Sequence, residues 1–195
     1  MLREGDRGLR EHLVATTERM ISERGTAGLT VRAIAREVGV ADGVLYNYFA
    51  DKEELLAEAL RAHVRSVERG LGELPEPGGG TIAGNLRAHI EYGLAMHRAI
   101  LPAFAGLLAQ PKVLDRFAEL GSPGEDWRDR LRDHLRAERE LGRLRVDAQV
   151  DAAAAMIAGV CHETALTLLF RDTAPPMTAA DIDDLITVVL GGILG

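Results

Sequence analysis

Between Leu29 and Leu55, apolar and polar residues are grouped as two short helices joined by a tight turn, with a third helix starting at once. Val31, Ile34, Ala35 and Val38 fall at the i, i+3, i+4, i+7 spacing of a single helical face. Thr30 stands ahead of them as an N-cap, its hydroxyl placed to accept a backbone N–H. Gly39 follows where a helix leaving its last turn favours positive φ. Ala41 or Asp42 then opens the second helix, with Leu45 and Phe49 on its inner side, and small Ala35 lets the two helices approach closely. This spacing suits a helix-turn-helix whose second helix enters the major groove, and equally an ordinary helical hairpin.

The same periodicity organises the rest of the chain. A first helix is expected from Asp6 to Glu23, with Leu13, Val14, Thr17, Met20 and Ile21 inward and Gly25 ending it. A fourth begins near Asp51, an N-cap candidate, and carries Leu55, Leu56, Ala59, Leu60, His63, Val64 and Val67. Glu73 to Gly80 holds two prolines and three glycines and reads as a linker. A fifth helix follows from Ile82 to His97 and a sixth from Ile100 to Ala109, with Pro102 interrupting it. Pro111 and the cluster Gly121 to Gly124 punctuate the next stretch. Trp127, Leu131, Leu135 and Leu141 mark an amphipathic helix with a charged outer face. Asp147 is expected to cap an eighth helix, Ala148 to Phe170, that is apolar nearly all round. Thr178 and Asp181 resemble a capping box opening the ninth. There Ile182, Leu185, Ile186, Val189, Leu190 and Ile193 form an apolar stripe.

Composition narrows this to an all-α protein, since 47% of residues are hydrophobic while aromatics make up only 4%. The charged N-terminus lacks a signal-peptide core. The apolar run from Ala152 to Cys161 is too short to span a bilayer. A lone cysteine, Cys161, excludes an intrachain disulfide and suits a reducing, cytoplasmic setting. The net charge is −7, with residues 1–70 holding 11 basic and 12 acidic side chains and the remainder 12 and 18. A near-neutral head on an acidic body fits a protein that meets phosphate at one end only.

The segment from Gly43 to Phe49, GVLYNYF, followed by Asp51-Lys52-Glu53-Glu54-Leu55, resembles the signature of the tetracycline-repressor (TetR) family of transcriptional regulators. The resemblance is detailed over about residues 10 to 60 and implies an N-terminal three-helix head, residues 1–50, for binding DNA. Residues 51–195 would form a helical effector-binding and dimerisation body, for about nine helices in all. On this resemblance Thr30 and Arg32 lie near phosphate, Tyr46 and Tyr48 face the DNA backbone or base edges, and Lys52 binds phosphate. Core packing beside Phe49 is the alternative for Tyr48. Asp42, Gly43, Val44 and Asn47 occupy the face from which side chains reach bases. The chain departs from the family at Ala41 and Asp42, where Ser and a basic residue are common, and at Val44, where Thr is. Asp42 can accept from cytosine N4 or cap its helix.

The resemblance further implies a homodimer formed by the last two helices, through Ile182, Ile186, Val189, Leu190 and Ile193. It also implies an effector cavity in the body, for which His89, Tyr92, Met96, Phe104, Phe117, Trp127, Met156 and His162 are the candidates. Their mostly apolar character points to an uncharged, apolar or aromatic ligand. The rival is a helical enzyme or ligand carrier with an incidental hairpin. Catalytic motifs do not favour it: His162-Glu163 starts like a zinc-protease helix, but Leu166 stands where the second histidine belongs. No Glu-x-x-His, Walker loop or cysteine cluster occurs, so no cofactor or metal is expected.

Overall fold

A computed structural model describes residues 4–26, 28–108, 110–121, 126–171 and 175–193. Among these residues every regular element is helical: α1 (Glu4–Arg24), α2 (Val31–Val38), a 3₁₀ helix (Asp42–Asn47), α3 (Lys52–Leu71), α4 (Ile82–Ala105), α5 (Pro111–Glu119), α6 (Trp127–Glu140), α7 (Val150–Phe170) and α8 (Ala179–Ile193). The chain divides into two compact units, Met1–Gly70 with Pro102–Gly121, and Leu71–Leu101 with Ser122–Gly195.

In the first unit, Leu13, Met20 and Ile21 of α1 share a core with Ile34 and Ala35 of α2, Leu45, Phe49, and Leu55, Leu56 and Leu60 of α3. Removal of each of these Leu, Ile, Met and Phe side chains from water contributes about 1.5–3 kcal/mol. Arg10 adds an external tie, forking onto Glu58 while its guanidinium lies 4.7 Å from the Phe49 ring centroid. The segment carrying α5, which sequence periodicity does not mark as a helix, joins the same core through Ala103, Leu107 and Val113. Thr26 donates to the Ala103 carbonyl at 2.9 Å, and Arg116 pairs with Asp51 at 2.6 Å.

In the second unit, α6 packs on α7 and α7 on α8. Trp127, Leu131 and Leu135 of α6 are buried, as are Ala153, Ala154, Ile157, Ala158 and Cys161 of α7. The Thr178–Asp181 capping box is present: the Thr178 hydroxyl accepts from Asp181 N at 3.2 Å and the Asp181 carboxylate accepts from Thr178 N at 2.8 Å.

Four expectations change. Pro102 does not interrupt a helix, for α4 runs through it to Ala105. The carbonyl that Pro102 leaves without an N–H partner belongs to exposed Arg98, where water can satisfy it. Asp147 caps nothing, because Arg145 holds its carboxylate at 2.7 and 2.9 Å and α7 starts beyond it. The second helix of the turn motif is one short 3₁₀ helix. The segment before α4 is fastened rather than free: Asn85 donates to the Gly79 carbonyl at 2.9 Å and Arg143 to that of Gly80 at 2.8 Å. Ala109 and Ser122 to Gly124, included in the sequence expectations, lie outside the described residues.

Candidate nucleic-acid interface and the clefts of the second unit

Local chemistry builds the turn motif. Thr30 accepts from Ala33 N at 3.1 Å and so caps α2. Gly39, at φ 81°, ends it in the left-handed region, its N–H bonded to the Ala35 carbonyl at 2.9 Å. In a 3₁₀ helix, residues three apart eclipse one another. Leu45 therefore anchors one row to the core, while Gly43 with Tyr46 and Val44 with Asn47 form the outer rows. Tyr46 is 59% exposed, and Asp42, Gly43 and Asn47 are exposed too. Thr30 and Arg32 are exposed at the start of α2. Lys52 is half-buried and donates to the Leu29 carbonyl at 3.4 Å, linking α3 to the residue before the Thr30 cap. Tyr48 is half-buried against the core cluster. Arg19 bonds Glu37 at 2.9 Å and holds its carboxyl below the usual range, joining α1 to α2.

The eight residues expected around one effector are divided between the two units. Phe104 and Phe117 pack edge to face at 5.1 Å in the first unit. Tyr92, Met96 and Trp127 are core residues of the second. Met156 and His162 are exposed on α7. Trp127 lies against Gly93, where any Cβ would overlap the indole. His97 meets the indole edge-on at 5.4 Å and donates from Nδ1 to the Gly93 carbonyl at 2.6 Å. Its other neighbour is His162, with ring centroids 4.1 Å apart. Sequence reading missed Gly93, a glycine in mid-helix, whose only signal is the helical propensity it forgoes.

Two clefts open elsewhere in this unit. One, of about 590 Å³, is lined by Leu94, Ala95 and Ala99 of α4, Thr164, Ala165 and Leu168 of α7, then Pro176, Met177 and Ile182, with Glu91 and Arg98 also on it. None of the eight expected residues lines it. The other, of about 640 Å³, lies between residues 72–77 and the side chains of His89, Arg130, Asp133 and His134. Among the described residues no group of His, Cys, Asp and Glu is arranged to hold a metal.

Comparison with known proteins agrees with the turn motif. Residues 13–59 match the family described as bacterial regulatory proteins, tetR family, and residues 83–190 match the AefR-like transcriptional repressor C-terminal domain. The chain belongs to the TetR family. As a member it is a DNA-binding transcriptional regulator, not an enzyme. The repressor KstR2 of Mycobacterium tuberculosis is 29% identical over 192 residues, covering 94% of this chain and 92% of that one. The regulator BetI of Stenotrophomonas maltophilia is 31% identical over 112 residues, 53% of this chain and 57% of its own length. A transcriptional regulator from Saccharomonospora viridis, solved in complex with choline, superposes with a TM-score of 0.63 at 19% identity, over 95% of each chain.

In this TetR-family chain the last helix turns its apolar stripe inward. Of the residues expected at a dimer interface, Ile182, Ile186, Val189 and Ile193 are buried within their own chain, and Leu190 is half-buried. They cover the chain's own core. The opposite face carries exposed Val188, Gly191 and Gly192, and α7 exposes Ala152, Ala155, Met156, Gly159, Leu166 and Phe170 at helical spacing. A Cβ placed at Gly159, Gly191 or Gly192 meets nothing within 4 Å.

Proposed function

We propose that this TetR-family protein is a cytoplasmic, homodimeric repressor that leaves a near-palindromic operator when a small organic effector binds its second unit. The observation that carries the reading is the exposed surface of a capped turn motif: the Thr30 cap and Arg32 of α2, with Asp42, Gly43, Tyr46 and Asn47 exposed and Val44 half-buried on the 3₁₀ helix. Thr30 and Arg32 serve phosphate, where a helix N-terminus favours an anion. Tyr46 and Asn47 reach the groove, and Lys52 adds phosphate contact beside the Leu29 carbonyl it already bonds. Tyr48 supports this surface from its half-buried place. Residues 1–50, with Lys52 at the start of α3, carry the operator contacts, and the rest of residues 51–195 carries effector binding and dimerisation.

The dimer forms through the exposed faces of α7 and α8. Met156, Leu166, Phe170 and Val188 supply apolar area there, and the three glycines permit close helix approach. This accounts for a helix, Val150–Phe170, that is long and apolar enough to cross a bilayer yet only partly buried in one chain. The effector is an apolar organic molecule seated in the groove of Leu94, Ala99, Ala165, Leu168 and Met177, whose few polar neighbours orient it. Binding acts on DNA only through different affinity for the bound and released states.

Operator binding of the intact protein, followed by fluorescence anisotropy across salt concentrations, tests this reading. Lys52→Ala should lower affinity for all duplexes and reduce the salt slope by about one. Val188→Arg should give monomer in sedimentation and weak operator binding, because the charge would be buried between helices. Salt-independent binding, or a persistent Val188→Arg dimer with full affinity, would overturn it.

A further inference from the structure

The connector between α3 and α4 forms one wall of the polar cleft, and a buried carboxylate holds that wall in place. Glu138 is wholly inaccessible, and its Oε1 accepts from Gly78 N and Asn85 Nδ2, each at 3.1 Å. Arg143 lies 3.1 Å from its Oε2. Across the cleft, His89 is 1% exposed, and neither ring nitrogen has a hydrogen-bond partner among the described residues. A neutral imidazole carries one donor and one acceptor, and leaving both unmet in a buried place is costly. Burial first, then the charges of His134 and Arg130, push His89 down to about 3, so at neutral pH it holds no charge and keeps a free acceptor.

Charge on the cleft is mainly acidic. Glu73, Glu76 and Asp133 line it against a single guanidinium, Arg130. Arg130 donates to the Tyr92 hydroxyl at 3.1 Å and lies 5.3 Å from that ring centroid, while Asp133 is shared with Arg136 at 3.4 Å. Glu73 and Glu76 are exposed and form no ion pair among the described residues.

We propose that this cleft is a second small-molecule site, distinct from the apolar groove, that takes a primary or secondary aliphatic amine as its ammonium ion. One ammonium N–H is accepted by the neutral His89 imidazole and others by the Glu73 or Glu76 carboxylate. The attached carbon chain rests against Leu74, Pro75 and Pro77. A quaternary ammonium has no N–H to give His89, an alcohol lacks the charge that the carboxylates favour, and an organic anion is repelled by them.

Calorimetric titration of the full-length protein with butylamine, tetramethylammonium, butanol and butyrate tests the site without reference to DNA. Butylamine should bind and the other three should bind at least about tenfold more weakly, the loss expected when a charge-assisted hydrogen bond is missing. The Glu73→Gln/Glu76→Gln variant changes only exposed side chains and should weaken butylamine by a similar factor. In the unchanged protein, the His89 ring resonances should shift on adding butylamine and stay put with butanol. Absence of butylamine binding, equal binding of tetramethylammonium, full affinity in the double variant, or an unmoved His89 signal would each overturn the proposal.

Discussion

The two units treat their polar interior differently. In the first, buried Thr17 donates to the Leu13 carbonyl at 2.8 Å and buried Thr26 to that of Ala103 at 2.9 Å. His63 Nδ1, buried and without a hydrogen-bond partner among the described residues, still has the Glu18 carboxylate 3.5 Å away. In the second, both nitrogens of His89 and the indole N–H of Trp127 are buried without a partner among the described residues, and the outer faces of α7 and α8 show apolar and glycine positions. Unmet polar groups inside and apolar groups outside both cost stability, so they persist where binding recovers the loss. The first unit is a scaffold that presents a surface. The second, on the function proposed above, receives molecules.

Acid should expose this difference most strongly. Burial, partly offset by the Gly93 carbonyl bond, pushes His97 down to about 4, and burial pushes His89 to about 3. Unfolded histidine titrates near ~6.5, so below that pH the unfolded chain takes up protons that the folded second unit refuses. Stability present above pH ~6.5 should fall as pH drops toward ~4, by up to about 1.4 kcal/mol per pH unit for each histidine, and level off below the folded values. Denaturant unfolding followed by Trp127, the single tryptophan, reads this unit alone. A midpoint that holds steady from neutrality to pH ~5 would contradict the burial of these imidazoles.

A smaller effect is expected at Gly93→Val, where the added carbons overlap the Trp127 indole. Overpacking of this kind costs about 2 kcal/mol, and Trp127 emission should shift to the red as the ring is displaced into water. An unchanged spectrum and melting temperature would show that the indole has room that the contact with Gly93 denies. Smallest is Thr30→Ala, which removes one cap bond and should cost about 1 kcal/mol in the first unit. It should leave Trp127 emission unaltered in the native state. A change there would mean that the two units do not respond separately.

Much of the first unit was legible because its determinants are local. The Thr30 cap, the Gly39 terminus and the inward Leu45 each depend on residues within a few positions of one another. The Asp51 cap is similar, accepting from Glu54 N at 2.8 Å. The second unit was legible as helices and illegible as a site. Residue type alone groups Phe104, Trp127 and Met156 as pocket candidates. Whether such a side chain faces core, cleft or solvent depends on partners far along the chain, such as Gly93 under Trp127.

The sequence by itself determined an all-helical protein, the turn motif and its family, because periodicity, capping chemistry and the GVLYNYF segment all act over short distances. Only the tertiary structure decided which face of α8 the chain keeps for itself. The stripe of Ile182, Ile186 and Val189 is apolar enough for either task, and its burial in its own chain leaves Val188 and the glycines outward. It also decided that Glu73 to Gly80 is a cleft wall rather than a linker. Prolines and glycines exclude a helix there, but the residues that hold the segment, Asn85 of α4, Glu138 of α6 and Arg143 just beyond α6, come from further along the chain.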